Sequence, residues 1–230
     1  MRGMTPGCCS RWSVPGSTFV PMEIVNPLVE SYIDNLQRHR HPVYREMERR
    51  AERSGFPIIG PQVGALLAVL TRLGSARRIL ELGSGFGYSA LWFAEALPEE
   101  GSVICTDFSS QHKAEAEQYF RRAGQQKKLR FMVGEALQIL EELEAPFDII
   151  LNDIDKQDYP RTLPLVLPRL RSNGLFITDN TLWYGSVIQE DPSSASTLGV
   201  RRFNEMIAAS GQLISLLLPI RDGVTVALKL

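Results

Sequence analysis

Two acidic clusters stand where apolar runs end: Asp153-Ile154-Asp155-Lys156 follows Phe147 to Leu151, and Asp179-Asn180 follows Gly174-Leu-Phe-Ile-Thr178. Carboxylate and amide oxygens are hard ligands for a small divalent cation, and such an ion positions a substrate oxygen and makes it more acidic. Lys156, three residues after Asp153, puts a proton acceptor at the same place, provided its own pKa is depressed. Taken alone, a lysine after two aspartates is ordinarily a solvated ion-pair partner. Of the two carboxylates Asp153 is the one expected to face the pocket, with Asp155 expected on the opposite side. Asp153, Asp179 and Asn180 then form a three-ligand oxygen set that leaves room in an octahedral shell for waters and substrate, as Mg²⁺ prefers.

A second motif supplies a nucleotide-type site. Ile79-Leu-Glu81-Leu82 runs into Gly83-Ser84-Gly85-Phe86-Gly87-Tyr88-Ser89, a turn that lets backbone approach a ligand closely before a helix begins. A dinucleotide fingerprint needs glycines at the first, third and sixth positions; counted from Gly83 the sixth is Tyr88, so that spacing fails. Asp107, twenty residues past Gly87, ends the next apolar run, where a carboxylate can accept hydrogen bonds from both hydroxyls of a ribose. The plainer alternative is that the glycines only make a tight turn.

These residues need a frame that brings them together. Pro27 opens a helix capped by Asn26, a charged helix runs from Pro42 to Ser54, and helix Pro61 to Leu73 follows. From there strands and helices alternate: strand Arg78 to Leu82, helix Tyr88 to Ala96, strand Ser102 to Thr106, helix Gln111 to Ala123, strand Leu129 to Val133. A short helix Ala136 to Leu143, strand Phe147 to Asn152, helix Tyr159 to Leu170, strand Leu175 to Thr178 and helix Thr197 to Ala209 continue the series. A closing pair, Gln212 to Leu218 and Gly223 to Leu230, ends it. The pattern predicts an α/β fold with a mostly parallel sheet covered on both faces, whose ligands bind beyond the carboxyl ends of the strands. Every motif singled out above falls at such an end.

Composition narrows the function classes. The 230 residues suit one domain, 22–230, preceded by a Gly-, Pro- and Ser-rich stretch, 1–21, that reads as a disordered extension. A formal net charge of -1 with interspersed signs advertises no nucleic-acid face, which favours a small-molecule partner. Three cysteines fit neither a disulfide framework nor a zinc site and suit a reducing cytoplasm. No apolar run approaches the roughly 20 residues of a membrane span. Cys105 reads as a small buried residue, Arg201 and Arg202 as a solvated helix face, and His39, His41 and His112 receive no role for want of a partner.

Alternate glycines with an acid two residues ahead resemble motif I of the class I S-adenosylmethionine-dependent methyltransferases. The likeness sharpens downstream. Phe147-Asp-Ile-Ile-Leu-Asn-Asp153-Ile-Asp155-Lys156 with Tyr159, Leu167-Pro-Arg-Leu-Arg-Ser-Asn-Gly174-Leu, and Asp179-Asn180-Thr-Leu-Trp183-Tyr-Gly185-Ser-Val187 together resemble the cation-dependent O-methyltransferases of the caffeoyl-CoA and catechol type. Pro61-Gln-Val-Gly64 and Gly87-Tyr88-Ser89-Ala90-Leu91-Trp92 fit the same pattern, and the resemblance spans about Asn26 to Leu230.

The resemblance implies a Rossmann-like methyltransferase fold with a seven-stranded sheet and an antiparallel last strand, a homodimer, and two cofactors, S-adenosyl-L-methionine and a divalent cation. It assigns Asp153, Asp179 and Asn180 to the metal, Lys156 with Asp153 to catalysis, and Ile59, Glu81, Gly83, Ser84, Ser89, Asp107, Ala136 and Asp153 to the methyl donor. Asp155 matches a substrate-side residue, and Trp183 is expected to wall the acceptor or to serve as a core or dimer contact. Asn152, Thr162, Ser109 and Glu135 depart from the family pattern without touching a metal ligand or the lysine. The reading is a Mg²⁺-assisted methyl transfer to a hydroxyl of a catechol-type acceptor. Its rivals are a metal-independent methyltransferase acting on nitrogen, RNA or protein, and a non-enzymatic cofactor-binding or dimerisation module.

Overall fold

A computed structural model describes residues 22–36, 41–190 and 192–230; the expected extension 1–21 and His39 lie outside them. Three helices come first: α1 (Pro27–Leu36), α2 (Val43–Ser54) and α3 (Gly60–Leu73). Asn26 caps α1 as expected, its Oδ1 accepting the Leu28 N–H at 2.9 Å. Charged as it is, α2 buries the stripe Val43, Tyr44, Met47 and Ala51, so its charges occupy the other face.

The alternating part follows as β1 (Arg78–Leu82), α4 (Tyr88–Ala96), β2 (Ser102–Asp107), α5 (Ser110–Arg122), β3 (Leu129–Val133), α6 (Ala136–Glu142) and β4 (Phe147–Asn152). It closes with α7 (Tyr159–Val166), β5 (Leu170–Thr178), α8 (Ala195–Ala209), β6 (Leu213–Leu218) and β7 (Val224–Lys229). The seven strands form one sheet in the order β3-β2-β1-β4-β5-β7-β6. Neighbours from β3 to β5 run parallel, and β7 lies antiparallel between β5 and β6. This is the expected Rossmann-like arrangement with an antiparallel last strand.

Both faces are covered, which is why the central strands are apolar almost throughout. Ile79, Val103, Ile149 and Ile177 pack with residues of α2, α3, α4 and α5, while Leu80, Leu82, Ile150 and Phe176 pack with α6, α7 and α8. Chain direction across the sheet reverses between β1 and β4, so their carboxyl ends open a crevice where α/β sheets hold ligands. The glycine turn leaves β1 there and Asp153 leaves β4 there.

One boundary differs substantially from the sequence pattern. The helix expected to reach Leu170 stops at Val166, a 3₁₀ turn spans Leu167–Arg169, and β5 starts at Leu170 rather than Leu175. Pro168 lacks an N–H for continued helix, and Arg171 is drawn into the sheet by an ion pair with Asp148. Among the described residues no helix is long and apolar enough to cross a membrane.

Candidate active site

The glycine turn and the first acidic cluster are pressed together. Gly83 has φ 83°, and a side chain on it would collide with the backbone carbonyl of Asp153. Glycine is required on both counts. Thr106 O accepts from Gly83 N (3.2 Å) and Ser84 N (2.8 Å), and Leu82 O accepts from Asp153 N at 2.9 Å, so three strand ends fix the turn.

Ile59, Gly83, Ser84, Ser89, Asp107, Ala136, Asp153, Asp155, Lys156, Asp179 and Asn180 all line one cleft of about 340 Å³. The topology thus brings together residues spread over more than half the chain. Glu81 sits just behind them, 1% exposed, and accepts a hydrogen bond from the Ser89 hydroxyl. Burial pushes its carboxyl up to about 8, with Ser89 opposing and the charges of Asp153 and Asp107 adding. A buried acid of this kind favours a cationic partner such as an ammonium group.

Asp107 is held from three sides: Gly85 N donates to Oδ2 (3.1 Å), Ser109 N donates to Oδ1 (2.8 Å), and His112 Nδ1 lies 2.9 Å from Oδ1. His112 therefore has the partner that sequence reasoning did not find. The available signal was its place in the first turn of α5, capped by Ser109, five residues after the carboxylate.

Asp153 and Asp155 both line the cleft, which corrects the expectation of opposite sides: residues two apart on an extended segment share a face. The strand ends at Asn152, and Asp153 to Asp155 leads into the 3₁₀ helix Lys156–Asp158. Asn152 itself is fully buried beside Leu82 and Thr178, and its side chain has no hydrogen-bond partner among the described residues. It underlies the cleft rather than walling it.

Lys156 Nζ donates to Asp153 Oδ1 at 2.7 Å and to Ile154 O at 3.3 Å, above the rings of Tyr159 (5.4 Å) and Trp183 (5.8 Å). Burial, the largest single influence, lowers its pKa, but the charge of Asp153, Tyr159, the Asp153 hydrogen bond and Asp179 together outweigh it and hold Lys156 above the ordinary lysine range. With that partner in place the side chain is an ammonium, not a base. Trp183 is not among the cleft-lining residues; at φ 46° its ring packs against the second core beside Lys156 and 5.5 Å from the Tyr184 ring.

Asp179 is 5% exposed, and burial followed by the like charge of Asp153 raises its carboxyl to about 7. Its backbone is fixed by Asn152 O, which accepts from Asp179 N (3.2 Å), and by Tyr159 Oη, which donates to Asp179 O (2.9 Å). Asn180, Trp183, Tyr184 and Gly185 are all left-handed, with φ of 54°, 46°, 52° and 74°. The β6–β7 turn clamps this stretch: Thr181 N donates to Gly223 O (3.0 Å), Leu182 N to Asp222 O (2.9 Å), and Tyr184 N to Asp222 Oδ1. Burial raises Asp222 to about 6, against the Tyr184 hydrogen bond. Sequence reasoning missed Asp222; the one available signal was an Asp-Gly turn before the last strand.

Among the described residues no group of three or more His, Cys, Asp or Glu side chains could hold a metal ion. Asp153, Asp179 and Asn180 instead offer two carboxylates and an amide. The chemistry of this set fits a hard cation, since the like charges of Asp153 and Asp179 are compensated only in part by Lys156.

The O-methyltransferase family model matches residues 37–230. The chain belongs to the O-methyltransferase family. As such it is an S-adenosylmethionine-dependent enzyme that methylates a hydroxyl of a small molecule. It is 34% identical over 188 residues to a catechol O-methyltransferase of Niastella koreensis, covering 79% of this chain and 85% of that one. The O-methyltransferase TomG of Streptomyces achromogenes, solved in complex with SAM, superposes with a TM-score of 0.80 at 31% identity, covering 88% and 96% of the two chains. The Bacillus cereus O-methyltransferase, solved in complex with SAH, gives 0.80 at 28% identity, covering 88% and 97%.

Proposed function

We propose that this O-methyltransferase acts on catechol-type acceptors, carrying two adjacent aromatic hydroxyls, with the help of a divalent cation, Mg²⁺ being the simplest choice. The observation that carries the reading is the meeting of Asp153, Asp179 and Asn180 with Lys156 in the cleft walled by the glycine turn. Asp153, Asp179 and Asn180 would hold the ion, which, when bound, acidifies one hydroxyl and anchors its neighbour.

The chain's own residues do the rest. Glu81, through its buried carboxylate, suits the ammonium of the methyl donor, and Asp107, held rigid by Gly85, Ser109 and His112, suits the ribose. Ile59, Gly83, Ser84, Ser89 and Ala136 complete that half of the cleft. In-line methyl transfer needs proximity and an anionic oxygen. Lys156 Nζ stands at the acidic cluster to take the phenolic proton, and it does so once Asp153 is drawn away from it. Asp155 faces the acceptor side, Trp183 backs Lys156, and Phe56, Pro57 and Ile58 give the cleft an apolar wall.

The proposal includes a cytoplasmic homodimer. Its support is the free thiol of Cys105 and the exposed apolar side chains Leu28, Tyr32 and Leu36 on α1.

The test is methylation by metal-stripped protein of a panel of catechols, caffeoyl esters and flavonoids, matched with their mono-hydroxy analogues, with and without Mg²⁺. Adjacent diols should be methylated with Mg²⁺ and not in excess chelator. Full turnover in chelator would sink the cation reading, and equal rates on mono-hydroxy analogues would sink the catechol reading.

A further inference from the structure

Asn180 is the one candidate ligand with a wrong end. Its amide presents an oxygen that can ligate a cation and an NH₂ that cannot, and something must decide which of them enters the cleft. Its neighbourhood makes that decision. Asn180 Nδ2 donates to Asp222 Oδ2 at 3.4 Å, while Asp222 Oδ1 accepts from Tyr184 N. An ionised carboxylate only accepts, so both Asp222 oxygens face donors of the same turn, and the amide is left with Oδ1 free for the cleft.

That turn is one that needs holding. Asn180, Trp183 and Tyr184 occupy the left-handed region, costly for residues with a side chain, and such geometry persists where surrounding contacts over-determine it. Asp222 contacts both ends of this run. It does not line the cleft, so any effect it has on the reaction passes through Asn180 and its neighbours.

We infer that Asp222 is a positioning residue that fixes the orientation of the Asn180 amide, turning Oδ1 toward the cation and Nδ2 away from it. The inference rests on the cation site proposed above. It makes a distinctive claim about D222N, which keeps the shape of the side chain but changes its chemistry. The Tyr184 N–H requires an acceptor and takes the new amide oxygen, which leaves an NH₂ facing Asn180 Nδ2. Two donors cannot pair, so Asn180 flips and offers its own NH₂ to the cation. Asn180→Asp cures the mismatch, because a carboxylate has no wrong end and accepts from Asn at 222.

The experiment is Mn²⁺ binding followed by the paramagnetic resonance of the free ion, at fixed S-adenosylhomocysteine, with thermal unfolding in parallel. It compares the unaltered protein, D222N, and the pair N180D/D222N. The expected result is about 10- to 100-fold weaker Mn²⁺ binding in D222N, the range lost with a ligand-orienting partner, and recovery to within a few-fold in the double variant. Unchanged binding in D222N overturns the inference, as does equal weakness of the double variant with a matching fall in Tm, which would mark Asp222 as structural. If the unaltered protein binds no Mn²⁺, the cation reading itself fails and takes this inference with it. Should D222N not fold, D222E and D222Q take its place: the acceptor-only Glu should retain binding and Gln should lose it, and equal affinities overturn the inference.

Discussion

Lys156 must change its charge to act as a base, and the structure says how large a change is needed. Its Nζ lies 2.7 Å from Asp153 Oδ1. At an effective dielectric of about 20, a unit pair at that distance is worth roughly 6 kcal/mol, an upper bound for so exposed a carboxylate. At 1.36 kcal/mol per pKa unit this corresponds to about 4 units. Burial is already the largest single influence and acts downward, and without the Asp153 charge and hydrogen bond the remaining influences no longer offset it. Asp153→Asn should therefore bring Lys156 from above the lysine range to below the ordinary value of about 10.4. Loading the unaltered protein with Mg²⁺ and S-adenosylhomocysteine should move it in the same direction, because a cation on Asp153 competes for the same oxygens. The assay is an NMR titration of protein carrying ¹³C,¹⁵N-lysine, with the Lys156 signal assigned by its absence in K156R. In the unaltered apo protein that signal should stay in the ammonium position to the alkaline limit of folding, while in D153N it should titrate within the accessible range. An ammonium that persists unchanged in D153N refutes the electrostatic argument. One that is unmoved by Mg²⁺ in the unaltered protein refutes the assignment of Lys156 as the base.

Other measurements follow from the same buried acids. With Asp179 raised to about 7, cation binding must displace a proton below that pH, so affinity should climb up to about tenfold per pH unit toward 7 and flatten beyond it. Calorimetry between acid and neutral pH checks this, and a flat profile rejects it. Glu81, Asp179 and Asp222 have folded-state values of about 8, 7 and 6, all above those of an unfolded carboxyl. The folded chain thus holds protons that the unfolded chain has lost, and ligand-free stability, full below about pH 4, should fall as pH rises through 6, 7 and 8, by at most about 1.4 kcal/mol per unit per group. Urea midpoints that rise across that window would contradict it. Tyr159→Phe removes the donor to the Asp179 carbonyl at a fully buried site and should cost about 1–3 kcal/mol in urea unfolding. A cost below 0.5 kcal/mol would mean the carbonyl finds another partner.

What could be read in the sequence was whatever depends on local pattern. β1 and β4 fall on their expected residues because strands buried on both faces are apolar runs bounded by turns, and the edge strand β3 and helix α4 also fall on theirs. Motif spacing did the same for the cleft: Gly83, Asp107, Asp153 and Asp179 each lie at the carboxyl end of one of four mutually parallel strands, so topology alone gathers them. What escaped depends on partners distant in the chain. Asp222 lies 42 residues from the Asn180 it touches. The early start of β5 reflects the Arg171–Asp148 pair, and the charge of Lys156 reflects how a turn folds Asp153 back on it. Asp155, expected on the far side, shares the cleft with Asp153, as the two-residue period of an extended chain requires of residues two apart.

The contact between Gly83 and the Asp153 carbonyl carries one more consequence. It packs the loop proposed to receive the methyl donor directly against the residue proposed to receive the cation. If one ligand tightens that contact, it alters the affinity of the other, and thermodynamic reciprocity makes the effect equal in both directions. On the proposed assignments, cation and donor would then be cooperative ligands of one backbone junction. A bulkier residue at position 83 would be felt in both binding constants together.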